Sequence, residues 1–388
     1  MSNKNVRITR REFLKISAAA GASAFLASCA PKATPTVSLP DLSTGESIPL
    51  DQLVEAAKME GELTTIALPH DWANYGEMLE TFKAKYGLKI NELNPDAGSG
   101  DELEAIRANK ESKGPQAPDV VDIGLGFVEE ATNEGLLAKY KVATWDTIPN
   151  EVKHPDGYWY GDYYGVLVFE GNLDVVKEMP QDWEDLLKPD YKNMVATAGD
   201  PTASAEANFT VWAAGLSRTG KLDDEAAWAG LEFFAELNKA GNFLPVTANT
   251  STIAKGETPL TFEWDYLALA NRDQYAGNPP LGIVVPKTGV VAGPYAQGIS
   301  AYAPHPYAAR LWQEFMYSDE GQLIFLKGYA YPIRYNDLVK RNMIPEDLAA
   351  KLPPAEDVAR AVFPTVASIS SAKKIIAENW RKIVLGEG

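Results

Sequence analysis

The chain has 388 residues with 53 acidic against 36 basic side chains, and the formal net charge of −17 disfavours nucleic acid and other phosphate-rich partners. One cysteine excludes an intramolecular disulfide and a multi-thiolate zinc site. Nine Trp and seventeen Tyr are a stronger clue, because wet aromatic clefts are built from these residue types.

In chain order, the first readable segment is TRREFLKISAAAGASAFLASC. A twin-arginine pair, Arg10 and Arg11, precedes an Ala/Gly-rich apolar stretch too short to span a bilayer, the pattern of a Tat-type export signal. Leu26-Ala27-Ser28-Cys29 resembles the bacterial lipobox, in which the cysteine becomes the lipidated N-terminus. Residues 1–28 therefore read as a lipoprotein signal peptide and Cys29 as the lipidation site. Two acyl chains suffice for stable attachment. Five bases and one acid precede Cys29, so the mature chain carries −21. Residues 29–49, rich in Pro, Ser and Thr, read as a flexible tether. The expected location is extracytoplasmic, lipid-anchored to the cell membrane or on its periplasmic side. No later segment is long and apolar enough to cross a membrane.

About 340 residues remain, more than one ordinary core, which predicts two lobes. The body opens with a helical LVEAAKMEG and a strand ELTTIALP. An amphipathic helix in DWANYGEMLETFKAKYG follows, capped by Gly87, then a strand LKINEL, a helix GDELEAIRANKES, a strand PDVVDIGL and a helical FVEEATNEGLL. Strands alternating with helices predict a doubly wound, mostly parallel sheet. The pattern restarts near YYGVLVFEGN, with a strand MVATAGDP, a helix SAEANFTVWAAGLS and a helix DDEAAWAGLEFFAELNKAG bearing Trp228, Leu231 and Phe234 on one stripe. After the strand LGIVVP, the helices in PYAARLWQEFMYSDEGQLIFLKGY and SAKKIIAENWRKIVLG are expected to pack back on the first lobe.

The segment DWEDLLKPDYKNMVATAGDP, with DVVDIG, YGVLVF, IAKGE, VPKTG and AARLWQEFMYSDEGQ in order, resembles a family-1 extracellular solute-binding lipoprotein of an ABC importer. The resemblance lies in the branch whose relatives carry ferric iron, polyamines, and phosphonates or sugar phosphates. It implies an α/β, two-lobed type II periplasmic-binding-protein fold. Each lobe would be a doubly wound, mostly parallel sheet flanked by helices, with a hinge between. Residues 50–168 plus 287–388 would form lobe one and 169–286 lobe two. The resemblance also implies a monomer that closes around a small-molecule solute and delivers it to ABC permease and ATPase subunits. It implies no enzyme activity, cofactor or nucleic acid, and a membrane contact through the lipid anchor only.

Ligands of doubly wound lobes sit at the carboxyl ends of strands. That rule selects Asp71, Trp72 and Tyr75 after the first strand, Phe127 after the third, and Tyr160 and Asp162 at the crossover. It also selects Ser204, Glu206 and Asn208 at a lobe-two helix start, Glu263, Trp264 and Asp265 after a later strand, and Tyr295 on the return. Of Glu263 and Asp265, one is expected to face inward. Carboxylates with aromatic faces suit ammonium groups, so the expected ligand is a small organic amine, putrescine- or polyamine-like or amino acid-like. A carboxylate at Glu206 weighs against phosphonate and sugar phosphate, which stay open with ferric iron; no metal site is assigned. The rival class is an exported, lipid-anchored carbohydrate hydrolase.

Overall fold

The computed structural model describes residues 39–387. Arg10, Arg11 and Cys29, and with them the signal and anchor expectations, lie outside the described residues. The tether expected over 29–49 is corrected at its end. Lys141 donates its N–H to Gly45 O at 2.8 Å, and Ile48 is buried, because its branched side chain has apolar surface to cover.

The first strands are β1 (Glu62–Ile66), β2 (Lys89–Leu93), β3 (Val120–Gly124) and the short β4 (Leu137–Ala138). β1 pairs in parallel with β2, and Asp119 N–H to Thr64 O at 2.9 Å ties β1 to the start of β3. The long strand β5 (Trp159–Asn172) follows, then β6 (Val195–Thr197), β7 (Phe243–Thr247), β8 (Leu260–Trp264), β9 (Leu281–Val284), β10 (Ala292–Ser300) and β11 (Tyr331–Pro332).

β5 belongs to two sheet halves. Its first part pairs antiparallel with β10, from Gly298↔Trp159 to Ala292↔Val166. From Leu167 onward it pairs antiparallel with β8 and, from Phe169, also with β9. In the first half β3, β4 and β5 all run opposite to β10. In the second, β8 and β9 oppose β5, while β6 is parallel to β7 and β8. The return strand β10 and the crossing strand β5 are thus the reversed members of their halves.

Helices cover these strands where apolar residues recur at helical spacing. In Tyr75–Tyr86 the buried Met78, Leu79 and Phe82 form the inner stripe, and Gly87 ends the helix at φ 72°. The helices Pro306–Met316 and Asp319–Lys327 pack on the first half, with Trp312 against Phe82 at 5.2 Å and Phe325 against Tyr75 at 5.6 Å.

Two expectations are corrected. The C-terminal helix Val366–Ile383 lies against the second half, with Trp380 packed on Phe234 at 5.4 Å and Phe243 at 5.8 Å. The apolar face that receives it is presented by Asp224–Lys239. On that same helix Leu231 and Phe234 are buried but Trp228 is 44 % exposed, since the stripe is narrower than three apolar positions suggest.

The helix Ala205–Thr219, which opens onto the cleft described below, is pressed against Asp224–Lys239 at two glycines. A Cβ on Gly215 would lie 1.7 Å from Ala226 O, and one on Gly230 would lie 1.9 Å from Val211 O. Gly215→Ala should therefore destabilise the fold by about 1–3 kcal/mol, the range for overpacking. Gly220→Ala would probe only the left-handed backbone at φ 72°, where an added methyl meets no atom. Denaturant titration checks this, and a Gly215→Ala loss under about 0.5 kcal/mol, the scale of neutral surface changes, would contradict the close helix contact.

Candidate functional site

Between the halves lies a cavity of about 640 Å³, the size for a small solute rather than a polymer. Trp72, Ser99, Glu102, Asp122 and Phe127 line it from the first half, Ala203, Ser204 and Ala205 from the second, and Tyr295 from β10. A narrower extension of about 60 Å³ continues past Thr202, Glu206, Asn208, Trp264 and Lys373.

One pole is made by two helix starts facing the same space. Helix Ser99–Ala108 begins after Gly98, and helix Ala205–Thr219 begins at Ser204, whose Oγ caps it by accepting from Ala207 N at 3.3 Å. The first N–H groups of each helix have no intrahelical acceptor, and each start carries roughly half a positive charge. Ser99 Oγ accepts from Gly124 N at 3.1 Å, which fixes the loop after β3 beside it. Asn208 donates to Pro201 O at 3.1 Å and braces the turn before the second helix.

The other pole is aromatic and acidic. Trp72 donates its indole N–H to Tyr163 Oη at 2.6 Å and meets Tyr266 and Tyr295 edge-on at 5.6 and 5.8 Å. Behind them, Tyr75 Oη bridges Asp122 Oδ2 at 2.8 Å and Asp162 Oδ2 at 2.9 Å, and Gln297 donates to Asp162 Oδ2 at 3.2 Å. Glu102 accepts from Asp122 N at 2.8 Å. Asp122 is 5 % exposed, and its Oδ1 has no partner among the described residues. The Asp122 carboxyl borders the cavity, and its unpaired oxygen is a buried acceptor still to be satisfied.

Burial dominates the acid chemistry. It pushes Asp122, Asp162 and Glu102 above the usual carboxylate range, and repulsion from Asp162 adds to it at Asp122 and Glu102. In the second half Glu206 accepts from Trp264 N at 3.0 Å and hydrogen-bonds Glu263; burial raises both, so the pair holds a proton between them. Glu170 is pushed up to about 8 by burial and Asp265 to about 7 by the same cause.

The cleft gathers Trp72, Phe127, Ser204, Glu206, Asn208, Trp264 and Tyr295. Trp264 can lie flat there because its neighbour on β10 is Gly293, where a Cβ would sit 2.2 Å from the indole. The other residues selected from the sequence lie elsewhere. Asp71 is exposed and outside the lining. Tyr75 and Asp162 are buried behind the wall, and Tyr160 packs in the core against Trp145 at 5.3 Å and Tyr317 at 4.8 Å. Of the pair from which one was expected to face inward, Glu263 turns to Glu206, and Asp265 accepts from Val166 N at 3.0 Å. Neither lines the cavity.

Ser99, Glu102, Asp122 and Lys373 were not selected from the sequence. The loop GSGDEL follows β2, so the strand-end rule applied there would have found Ser99 and Glu102. Lys373 carries no local signal, since it reaches the cleft only through the packing of a distant helix.

Two sheet halves that exchange strands and oppose two helix starts across a cleft define a two-lobed periplasmic-type binding protein. The comparisons agree with that class. Residues 116–359 match the family described as bacterial extracellular solute-binding protein, and the chain belongs to that family. A Salmonella typhimurium protein, provisionally described as a 2-aminoethylphosphonate-binding periplasmic protein, is 26 % identical over 273 residues, covering 65 % of this chain and 72 % of its own. The periplasmic binding protein AfuA from Actinobacillus pleuropneumoniae, bound to fructose-6-phosphate, superposes with a TM-score of 0.65 at 21 % identity, covering 84 % of this chain and 99 % of its own. Iron-bound HitA from Pseudomonas aeruginosa gives 0.63 at 18 % identity, over 83 % and 99 %. The two solved structures show the fold.

The buried acids set the pH response. A carboxyl whose folded pKa is raised holds a proton that the unfolded chain has already released. Stability therefore falls as pH rises from the unfolded value, near 4, through the folded value, near 7 for Asp265. The ligand-free melting temperature should drop steadily from pH 5 to pH 7.5 in calorimetry. A flat or rising trend across that window would contradict the protonated acids.

Proposed function

We propose that the chain is the solute-binding component of an ABC importer and that its solute is a small zwitterion, an ammonium joined to a phosphonate- or phosphate-type anion. 2-Aminoethylphosphonate is the first candidate. The observation that carries this reading is the pairing of opposite poles in one cavity. Two helix starts with Ser99 and Ser204 suit the anion, and Asp122 with its free oxygen, backed by Trp72 and Tyr295, suits the ammonium. The provisional description of the Salmonella relative supports it.

The amine expected from the sequence becomes one half of the ligand. Glu206 weighed against phosphonate as a free carboxylate. A Glu206–Glu263 pair that shares a proton repels an anion less, and its side chain is already occupied by Trp264 N. Ferric iron falls, because the Tyr163 hydroxyl is already taken up by the Trp72 indole N–H and by Asp122 Oδ2. Among the described residues no group of three His, Cys, Asp or Glu is placed to hold a metal.

In this reading the chain is a monomer, works outside the cytoplasm on a lipid at Cys29, and hands its solute to permease and ATPase subunits. The halves meet at Val166–Leu167 and on the return between β9 and β10, and they close about those crossings. The C-terminal helix moves with the second half.

Calorimetry tests the proposal. The protein should bind 2-aminoethylphosphonate and return it unchanged. Asp122→Asn should weaken binding about tenfold or more, the scale of a hydrogen bond to a charged group. Ligand-independent stability should not suffer comparably, since the substitution removes a buried acid. No heat with 2-aminoethylphosphonate alongside clear heat with putrescine or ferric citrate would overturn the zwitterion.

A further inference from the structure

Among the cleft-lining residues only one is basic. Lys373 sits on the C-terminal helix Val366–Ile383 and lines the cavity's inner extension with Ser99, Thr202 and Ser204. Its ammonium lies 4.4 Å from the centroid of the Phe127 ring, a cation–π contact at the cleft wall. Among the described residues no carboxylate forms an ion pair with it. In a chain of charge −17, a half-buried lysine held by an aromatic face rather than an acid is a cation kept available.

The helix that carries Lys373 touches both halves. Its C-terminal end is fixed to the second half through Trp380 and through Asn238 Nδ2 donating to Val384 O at 2.8 Å. Its start meets the first half at the loop after β3, where Ile369 Cγ2 lies 3.2 Å from the place a Cβ on Gly126 would take. Lys373 thus lies where the loop bearing Phe127 meets this helix, with the second half's Thr202 and Ser204 beside it.

We infer that Lys373 is the basic specificity residue of the anion pole, pairing with the phosphonate-type oxygens that the two helix starts receive. The inference rests on the zwitterion reading given above. Charge matching favours it. A phosphate-type group carries about −1.5 to −2 near neutral pH, and two helix starts offer roughly +0.5 each, so about half to one positive charge is missing. Lys373 supplies it. The Phe127 face keeps the ammonium near the anion without the competing carboxylate that would neutralise it.

The test uses the full-length chain with Lys373→Gln and Lys373→Arg, and with 2-aminoethylphosphonate and putrescine as probes in calorimetry. Lys373→Gln should weaken 2-aminoethylphosphonate about tenfold or more, the scale of a charge-assisted hydrogen bond. Lys373→Arg should restore most of that affinity. Whatever affinity the unaltered protein shows for putrescine, which has no anion, should persist in Lys373→Gln. The ligand-free melting temperature of Lys373→Gln should stay near that of the unaltered chain, because the side chain is only half-buried and packs on one ring. Unchanged phosphonate affinity in Lys373→Gln would overturn the assignment while leaving the zwitterion reading standing. Loss of melting temperature with equal loss of both probes would instead make Lys373 a structural packing residue. If the unaltered protein binds no phosphonate at all, the zwitterion reading fails and the role of Lys373 fails with it.

Discussion

The structure depends on one change of hydrogen-bonding partner along β5. Up to Val166 its ladder is made with β10, and from Leu167 it is made with β8 and then β9. A strand that leaves one partner for another exposes backbone groups in the interior, and an unpaired buried N–H is costly. Asp265, the first residue after β8, accepts from Val166 N at that point and from Tyr266 N. Leu167 N meanwhile donates to Val291 O at 3.1 Å, just before β10 begins. One carboxylate thus closes the ladder where the halves part, and its complete burial is the cause of its raised pKa. The two helix starts come to face each other because this crossing sets the halves at its two ends.

The second theme is acid held without base. Glu102, Asp122 and Asp162 in the first half and Glu170, Glu206 and Glu263 in the second are all largely buried, and none is in a salt bridge among the described residues. Hydrogen bonds from Tyr75, Gln297, Asn271 and backbone N–H groups reach most of them, leaving Asp122 Oδ1 unpaired, with protons retained where acids face acids. Such a wall is more comfortable with a cation present than without. The ammonium proposed above, placed at Asp122, would lower the pKa values of the acids around it and release protons.

Much of the architecture was legible in the sequence. Apolar spacing gave the helix Tyr75–Tyr86 with its Gly87 stop, and the restart of the pattern at YYGVLVFEGN falls on the strand that crosses between the halves. What sequence could not separate was a polar residue that faces a ligand from one that braces the wall behind it. Asp122 and Asp162 share the Tyr75 hydroxyl, yet only Asp122 lines the cavity. Both carboxyls lie on the Tyr75 face of the sheet, so nothing in the strand alternation tells the cavity-lining acid from the one behind it. Tyr160 misled for the same reason, since an aromatic-rich YWYGDYY reads alike whether it lines a cleft or fills a core. Lys373 was invisible because it is more than 150 residues from Ser204 in sequence, and only the docking of Trp380 onto Phe234 brings its helix to the cleft.

The two-pole cleft is tested most directly by the crystal structure of the protein with 2-aminoethylphosphonate bound. The phosphonate oxygens should lie within hydrogen-bond distance of the helix starts at Ser99 and Ser204, and the ammonium within hydrogen-bond distance of Asp122 Oδ1, between Trp72 and Tyr295. A ligand bound in the reverse sense, with its amine at Ser204 and its phosphonate against Asp122, or seated outside this cavity, would contradict it.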